Sequence, residues 1–191
     1  MNIAIFASGK GSNALAIIRY LQNLDNIYVK VIVSNNPEAG CATLSETYDM
    51  PLIELDKTIW QNTPETYIHK LKGAYNIQYI VLAGFLWLVP HPFIRAFPEK
   101  ILNIHPALLP EFGGKGMYGH HVHKAVLEQQ KAESGITIHV VNQEYDKGFV
   151  LLQAKCTVSE NDSVLSLAQK VQQLEHYYYP RAIEFYIKST I

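Results

Sequence analysis

The feature that most restricts how this chain can fold is a repeated alternation of short apolar runs with segments of helical periodicity. Residues 2–7 (NIAIFA) read as a buried strand, and residues 13–24 follow as a helix with Leu15, Ile18 and Leu21 on one face. Residues 27–33 form a second strand, rich in β-branched side chains. A helix over 39–47, a short strand over 52–55, a helix entered at Pro64 and running to Tyr75, and strands over 77–83 and 100–105 continue the rhythm. This alternation predicts an α/β fold with a doubly wound, mainly parallel sheet and helices on both faces. After residue 134 the rhythm changes. Residues 135–141 and 149–158 read as two strands across a short polar loop, a C-terminal antiparallel pair. A long helix with Ser163 as its N-cap runs on to about Lys188.

Composition narrows the function classes. With 191 residues and 48% hydrophobic side chains, the chain suits one well-filled domain over 1–191. Its 16 Lys and Arg balance 17 Asp and Glu, with no basic tail or stripe, so nucleic acid is not an expected partner. Cys41 and Cys156 have no CxxC neighbour, which argues against a disulfide scaffold or a thiolate zinc site. The N-terminus lacks the basic and apolar regions of a signal peptide, and no apolar run approaches the ~20 residues that span a membrane. The expectation is a cytoplasmic protein with small-molecule substrates, no membrane and no nucleic acid.

The first strand ends in Ser8-Gly9-Lys10-Gly11-Ser12-Asn13, followed by Ala14. A glycine turn between a strand and a helix presents backbone N–H groups at a positive helix end, a general anion site. Gly9, Gly11 and Ala14 also fit a loose dinucleotide pattern. That pattern needs an acidic residue about 20 positions on, at the end of the second strand, and Val33-Ser34-Asn35-Asn36 has none. A cradle for one phosphate is the better reading of a signal that is weak alone.

The run Ile101-Leu102-Asn103-Ile104-His105-Pro106 is more specific. Strand residues two apart share a side, so Asn103 and His105 project together and Pro106 ends the strand. That puts the pair at the carboxyl end of a parallel strand, where open α/β sheets bind ligands. Taken by themselves, the two residues read slightly better as a satisfied polar pair in the core.

The run LNIHPALLPEFGG, the earlier VLAGFLWLVP, the loop Asn142-Gln143-Glu144-Tyr145-Asp146-Lys147-Gly148 and the N-terminal SGKGSN stand in this order. Together they resemble the glycinamide ribonucleotide formyltransferase family, folate-dependent enzymes of purine synthesis. The resemblance extends from Met1 to the run 172–180. It implies transfer of a formyl group from 10-formyltetrahydrofolate, as co-substrate, to the amine of 5-phosphoribosylglycinamide, by direct attack through a tetrahedral intermediate. It places Asn103, His105 and Asp146 as the catalytic trio, with the D-x-G arrangement selecting Asp146 over Glu144. A carboxylate there would raise the His105 pKa. It puts the acceptor phosphate on Gly11, Ser12 and Asn13, the ribose hydroxyls on Glu175, and the pterin beside Leu86, Trp87, Leu88 and Val89, near Asn103 and the backbone of 141–146. Leu82, Phe85 and Leu102 could wall that pocket or serve as core. Without the resemblance, Glu175 would read as an ordinary exposed helix residue.

Some positions depart from the family pattern. Trp87 stands where many members carry Arg, and no Arg near Pro64 offers itself to the folate glutamate tail, leaving Lys57 and Lys70 as candidates. The segment 113–123 is longer than the simplest family loop. Its four glycines suggest a lid, and its histidines read as loop and helix-start residues, not metal ligands. Rival acceptors are methionyl-tRNA, whose formyltransferase normally adds a C-terminal barrel, and amino-sugar nucleotides. Formyltetrahydrofolate hydrolysis would call for a preceding regulatory domain. A non-catalytic nucleotide-binding module need not keep Asn103, His105 and Asp146 together.

Overall fold

A computed structural model describes residues 1–190 apart from 37 and 39. Seven strands form one sheet: β1 (Asn2–Ala7), β2 (Tyr28–Ser34), β3 (Leu52–Glu54), β4 (Tyr79–Leu82), β5 (Ile101–His105), β6 (Glu133–Val140) and β7 (Val150–Thr157). Their order is β3-β2-β1-β4-β5-β6-β7. The first five are parallel; β6 runs antiparallel to β5, and β7 antiparallel to β6. The predicted doubly wound sheet with its antiparallel C-terminal pair is the observed one. Boundaries moved by a few residues. The helix expected over 39–47 is α2 (Gly40–Thr47), and Ala39 lies outside the described residues.

The apolar runs work as strands because both sheet faces are covered. In β1, Ile3, Ile5 and Ala7 face a core built with Ile17 and Ile18 of α1 (Ser12–Leu21) and with Val171, Tyr179 and Ile183 of α7 (Val164–Ser189). Ala4 and Phe6 face the opposite core, with Trp60 of α3 (Lys57–Asn62), Ile68 and Leu71 of α4 (Glu65–Gly73) and Phe93 of α5 (His91–Ala96). One period-two strand thus feeds two cores. The helix entered at Pro64 is α4. Helices α3 and α5, and α6 (His120–Glu128), add to the elements delimited by sequence.

Helix α7 starts as expected. The Ser163 hydroxyl accepts from the Ser166 N–H at 3.1 Å, and the Ser166 hydroxyl accepts from the Ser163 N–H at 3.0 Å, a reciprocal cap. It runs for 26 residues despite Pro180, which lacks the N–H that would bond the carbonyl of His176.

Strand order reverses between β1 and β4, so their outgoing loops part and leave a crevice at the carboxyl edge. Two hydrogen bonds join the loops at its floor: Ser8 N–H to Gly84 O (3.2 Å) and Leu86 N–H to the Ser8 hydroxyl (2.9 Å). No helix among the described residues is long and apolar enough to cross a membrane.

Candidate functional site

The crevice opens into a cavity of about 790 Å³. Asn103, His105 and Asp146 line it, together with Asn13 and Glu175 on one side and Leu86, Trp87, Leu88 and Val89 on another. Residues far apart in sequence are thus gathered at one place by the ends of β1, β4 and β5 and by α7.

Asn103 and His105 point out of β5 on the same side, as its period requires. Register adds a residue that the sequence did not single out. Asn103 lies directly opposite His139 of β6, and such pairs share a face. The Asn103 amide Nδ2 lies 3.1 Å from His139 Nε2. The Nδ1 of the same ring lies 3.4 Å from the Val140 carbonyl. The second N–H of the Asn103 amide is left over.

His105 is 4% exposed. Its Nε2 donates to the Phe112 carbonyl at 2.7 Å, and its Nδ1 lies 3.6 Å from Asp146 Oδ2. Burial pushes the imidazole pKa down; the Asp146 charge and the Phe112 carbonyl push it up but do not prevail. The net direction is below the ordinary imidazole value. Asp146 therefore acts in the expected sense without dominating, because the ring has given up almost all its water.

Burial raises the Asp146 carboxyl, but the facing His139 ring, the Gly114 N–H at 2.9 Å and the His105 ring outweigh it, and Asp146 sits below the usual carboxylate range. His139 Nε2 lies 3.7 Å from Asp146 Oδ1, longer than a hydrogen bond, so its close partner is Asn103. Gly148 explains the D-x-G spacing. A Cβ there would overlap the Val140 carbonyl oxygen and lie 3.1 Å from His139 Nδ1, so only glycine lets this loop fold back and bring Asp146 to the histidines. Glu144 is exposed and pairs with Lys147 at 2.6 Å, as befits a solvated loop charge.

At the opposite end, Gly11 is the N-cap of α1 with φ +78°, a conformation that suits glycine. No side chain caps this helix, so its first N–H groups stay open to an anion. Gln172 donates to the Ser12 hydroxyl at 3.1 Å, and Asn13 Nδ2 donates to Glu175 Oε2 at 3.0 Å. Asn13 Oδ1 is buried without a partner. Glu175 is not the exposed helix residue its composition suggests. Burial raises its pKa to about 6, only partly countered by the Asn13 amide.

The third wall is held by aromatic packing. Trp60 donates its indole N–H to the Leu88 carbonyl at 3.0 Å, and Phe85 packs edge-on against Phe6, Trp60 and Trp87. Leu86 (54%) and Leu88 (49%) are exposed at the rim, whereas Val89 is buried. Leu82 and Phe85 line the cavity; Leu102 is core on the α7 side. Lys57 and Lys70 are exposed and do not line it. Residues 114–120 and His123 do. Among the described residues, no group of His, Cys, Asp and Glu is placed to hold a metal ion.

The arrangement offers an amide donor, an imidazole and a carboxylate around one point, an anion site at one end and an apolar wall at the other. Comparison with known proteins gives the family. The family model described as formyl transferase matches residues 1–183. The chloroplastic phosphoribosylglycinamide formyltransferase of Arabidopsis thaliana is 40% identical over 186 residues, covering 95% of this chain and 63% of that protein. Its Vigna unguiculata counterpart is 38% identical over 194 residues, covering 99% of this chain and 62% of that protein. The chain thus spans a little over three fifths of the length of these two relatives. The solved phosphoribosylglycinamide formyltransferase of Bacillus halodurans superposes with a TM-score of 0.90 at 28% identity, over 100% of this chain and 97% of that one. On this match the chain belongs to the formyl transferase family.

Proposed function

We propose that this chain, as a single domain over 1–191, transfers the formyl group of 10-formyltetrahydrofolate to the amine of 5-phosphoribosylglycinamide. The observation that carries the reading is the shared cavity. Asn103, His105 and Asp146 sit between an open helix N-terminus at Gly11–Asn13 and the apolar wall at 86–89. A ribose phosphate fits the first end: the phosphate on the N–H groups of Gly11, Ser12 and Asn13, the hydroxyls on Glu175 and on the unpartnered Asn13 Oδ1. A pterin fits the second, against Leu86, Trp87, Leu88 and Val89. Two relatives bear the name of this activity.

In this reading the neutral amine attacks the formyl carbon, and the carbonyl oxygen becomes an oxyanion. The free N–H of Asn103 donates to it. As the carbon–nitrogen bond to folate N10 breaks, that nitrogen takes a proton and the former amine loses one, with His105 relaying between them. Asp146 keeps the ring oriented and its cation stabilised. The same reading sets the chain in the cytoplasm. It is supported by the two free thiols, Cys41 and Cys156, which suit a reducing compartment, although the two plant relatives are named chloroplastic.

Competition between acceptors tests the assignment. Given the folate and equal amounts of phosphoribosylglycinamide, a nucleotide-linked amino sugar and methionyl-tRNA, the chain should formylate the first. Faster formylation of either other acceptor would refute it.

Two further results are expected. Glu175 accepts hydroxyls best as the carboxylate, and it protonates as pH falls through about 6. Acceptor KM should therefore rise below that pH, by at most about tenfold per unit. The acceptor phosphate titrates in the same range. The readout is the difference from Glu175→Gln, which should lack the Glu175 component; identical pH profiles would remove Glu175 from the site. Second, Trp87→Ala should raise folate KM by about threefold to tenfold, the worth of one aromatic contact, with acceptor KM unchanged. If that variant shows only a lower Tm, Trp87 is a cover for Phe85 and nothing more.

A further inference from the structure

Among the described residues, the cavity walls carry three carboxylates, Glu144, Asp146 and Glu175, but only one Lys or Arg, Lys115. Lys115 is exposed, and among the described residues its amine has no carboxylate partner. Both substrates of the proposed reaction are anionic. The acceptor phosphate already has a site built from the N-terminus of α1, without a cation. The folate carries a glutamyl group whose carboxylates must lie near the cavity mouth, since the pterin takes the apolar wall.

The position of Lys115 decides between the two anions. Its neighbour Gly114 donates to Asp146, so Lys115 leaves the chain beside the loop 141–146, whose backbone the folate reading sets near the pterin. The nearest acid on that loop, Glu144, would repel a carboxylate, and it is neutralised by Lys147. A flexible four-carbon stem on a glycine-flanked segment can reach a ligand group at the rim.

We propose that Lys115 binds the carboxylates of the folate's glutamyl tail and sets the preference for folates that carry one. The assignment rests on the folate reading above. Equilibrium binding of tetrahydrofolate and of tetrahydropteroate, which lacks the glutamate, tests it on the intact chain. Wild type should favour tetrahydrofolate by about fivefold, the scale of one exposed ion pair. Lys115→Ala should bind the two alike, Lys115→Arg should restore the preference, and high salt should abolish it in wild type. Acceptor affinity should be the same in all three proteins. An undiminished preference in Lys115→Ala would overturn the assignment and leave the folate reading standing. A loss of acceptor affinity in its place would also overturn it, by moving Lys115 to the phosphate. Wild type that binds neither pterin would overturn the folate reading itself, and this assignment with it.

Discussion

Replacing His105 with alanine is expected to lower kcat by about a hundredfold to ten-thousandfold, the range for a lost general acid or base. Acceptor and folate KM should change little, because the ring lies between the two ends of the cavity and its work is done in the transition state. The residue is built for this work. It is almost fully buried, its Nε2 is fixed by the Phe112 carbonyl, and its Nδ1 faces Asp146. Burial and the carboxylate act oppositely on its pKa, and burial wins. Asp146→Asn removes the opposing charge, so the pKa should fall further. The acid form then vanishes at lower pH, and the basic limb of the kcat profile should move down. A basic limb that stays put would mean that Asp146 does not tune this ring. Near wild-type turnover in His105→Ala would remove His105 from the mechanism.

Asn103→Ala should cost about a hundredfold to a thousandfold in kcat, the measured scale for one oxyanion donor. The amide is held by its bond to His139, so it does not have to reorganise as charge develops. That bond also predicts coupling. With the amide gone, His139 Nε2 loses its close partner, and the double variant Asn103→Ala with His139→Ala should be less damaged than the product of the two single effects. Strictly multiplicative losses would show that the two side chains act separately.

Most of the sheet could be read from the chain because its strands are apolar on both faces and turn over sharply into polar loops. Helices α3 and α5 could not, since six residues make fewer than two turns and display no period. The start of α6 is masked by glycines and three histidines. In the site, Asn103 and His105 stood out as two polar residues two apart in an apolar strand. His139 did not, because a single histidine in an apolar strand reads as core, and its pairing with Asn103 exists only through the antiparallel register. Glu175 has a signal of its own in the chain. Val171 and Tyr179, four residues to either side, are both fully buried, so Glu175 lies in a buried stripe, where a lone carboxylate calls for a reason. The sign of the His105 shift could not be read at all. It depends on how two opposed effects balance, and only burial in three dimensions sets the larger one.

The central claim is that the formyl group goes to an amine bound beside the folate. It is tested most directly by following that group. Purified chain is incubated with 10-formyltetrahydrofolate carrying an isotopically labelled formyl carbon, with and without phosphoribosylglycinamide, and the label is measured in formate and in the acceptor. The account predicts that label reaches the acceptor one for one with tetrahydrofolate release, with little formate formed and almost no folate consumed when the acceptor is left out. Release of labelled formate at the same rate with and without acceptor would contradict it, and would make the chain a hydrolase of the same folate.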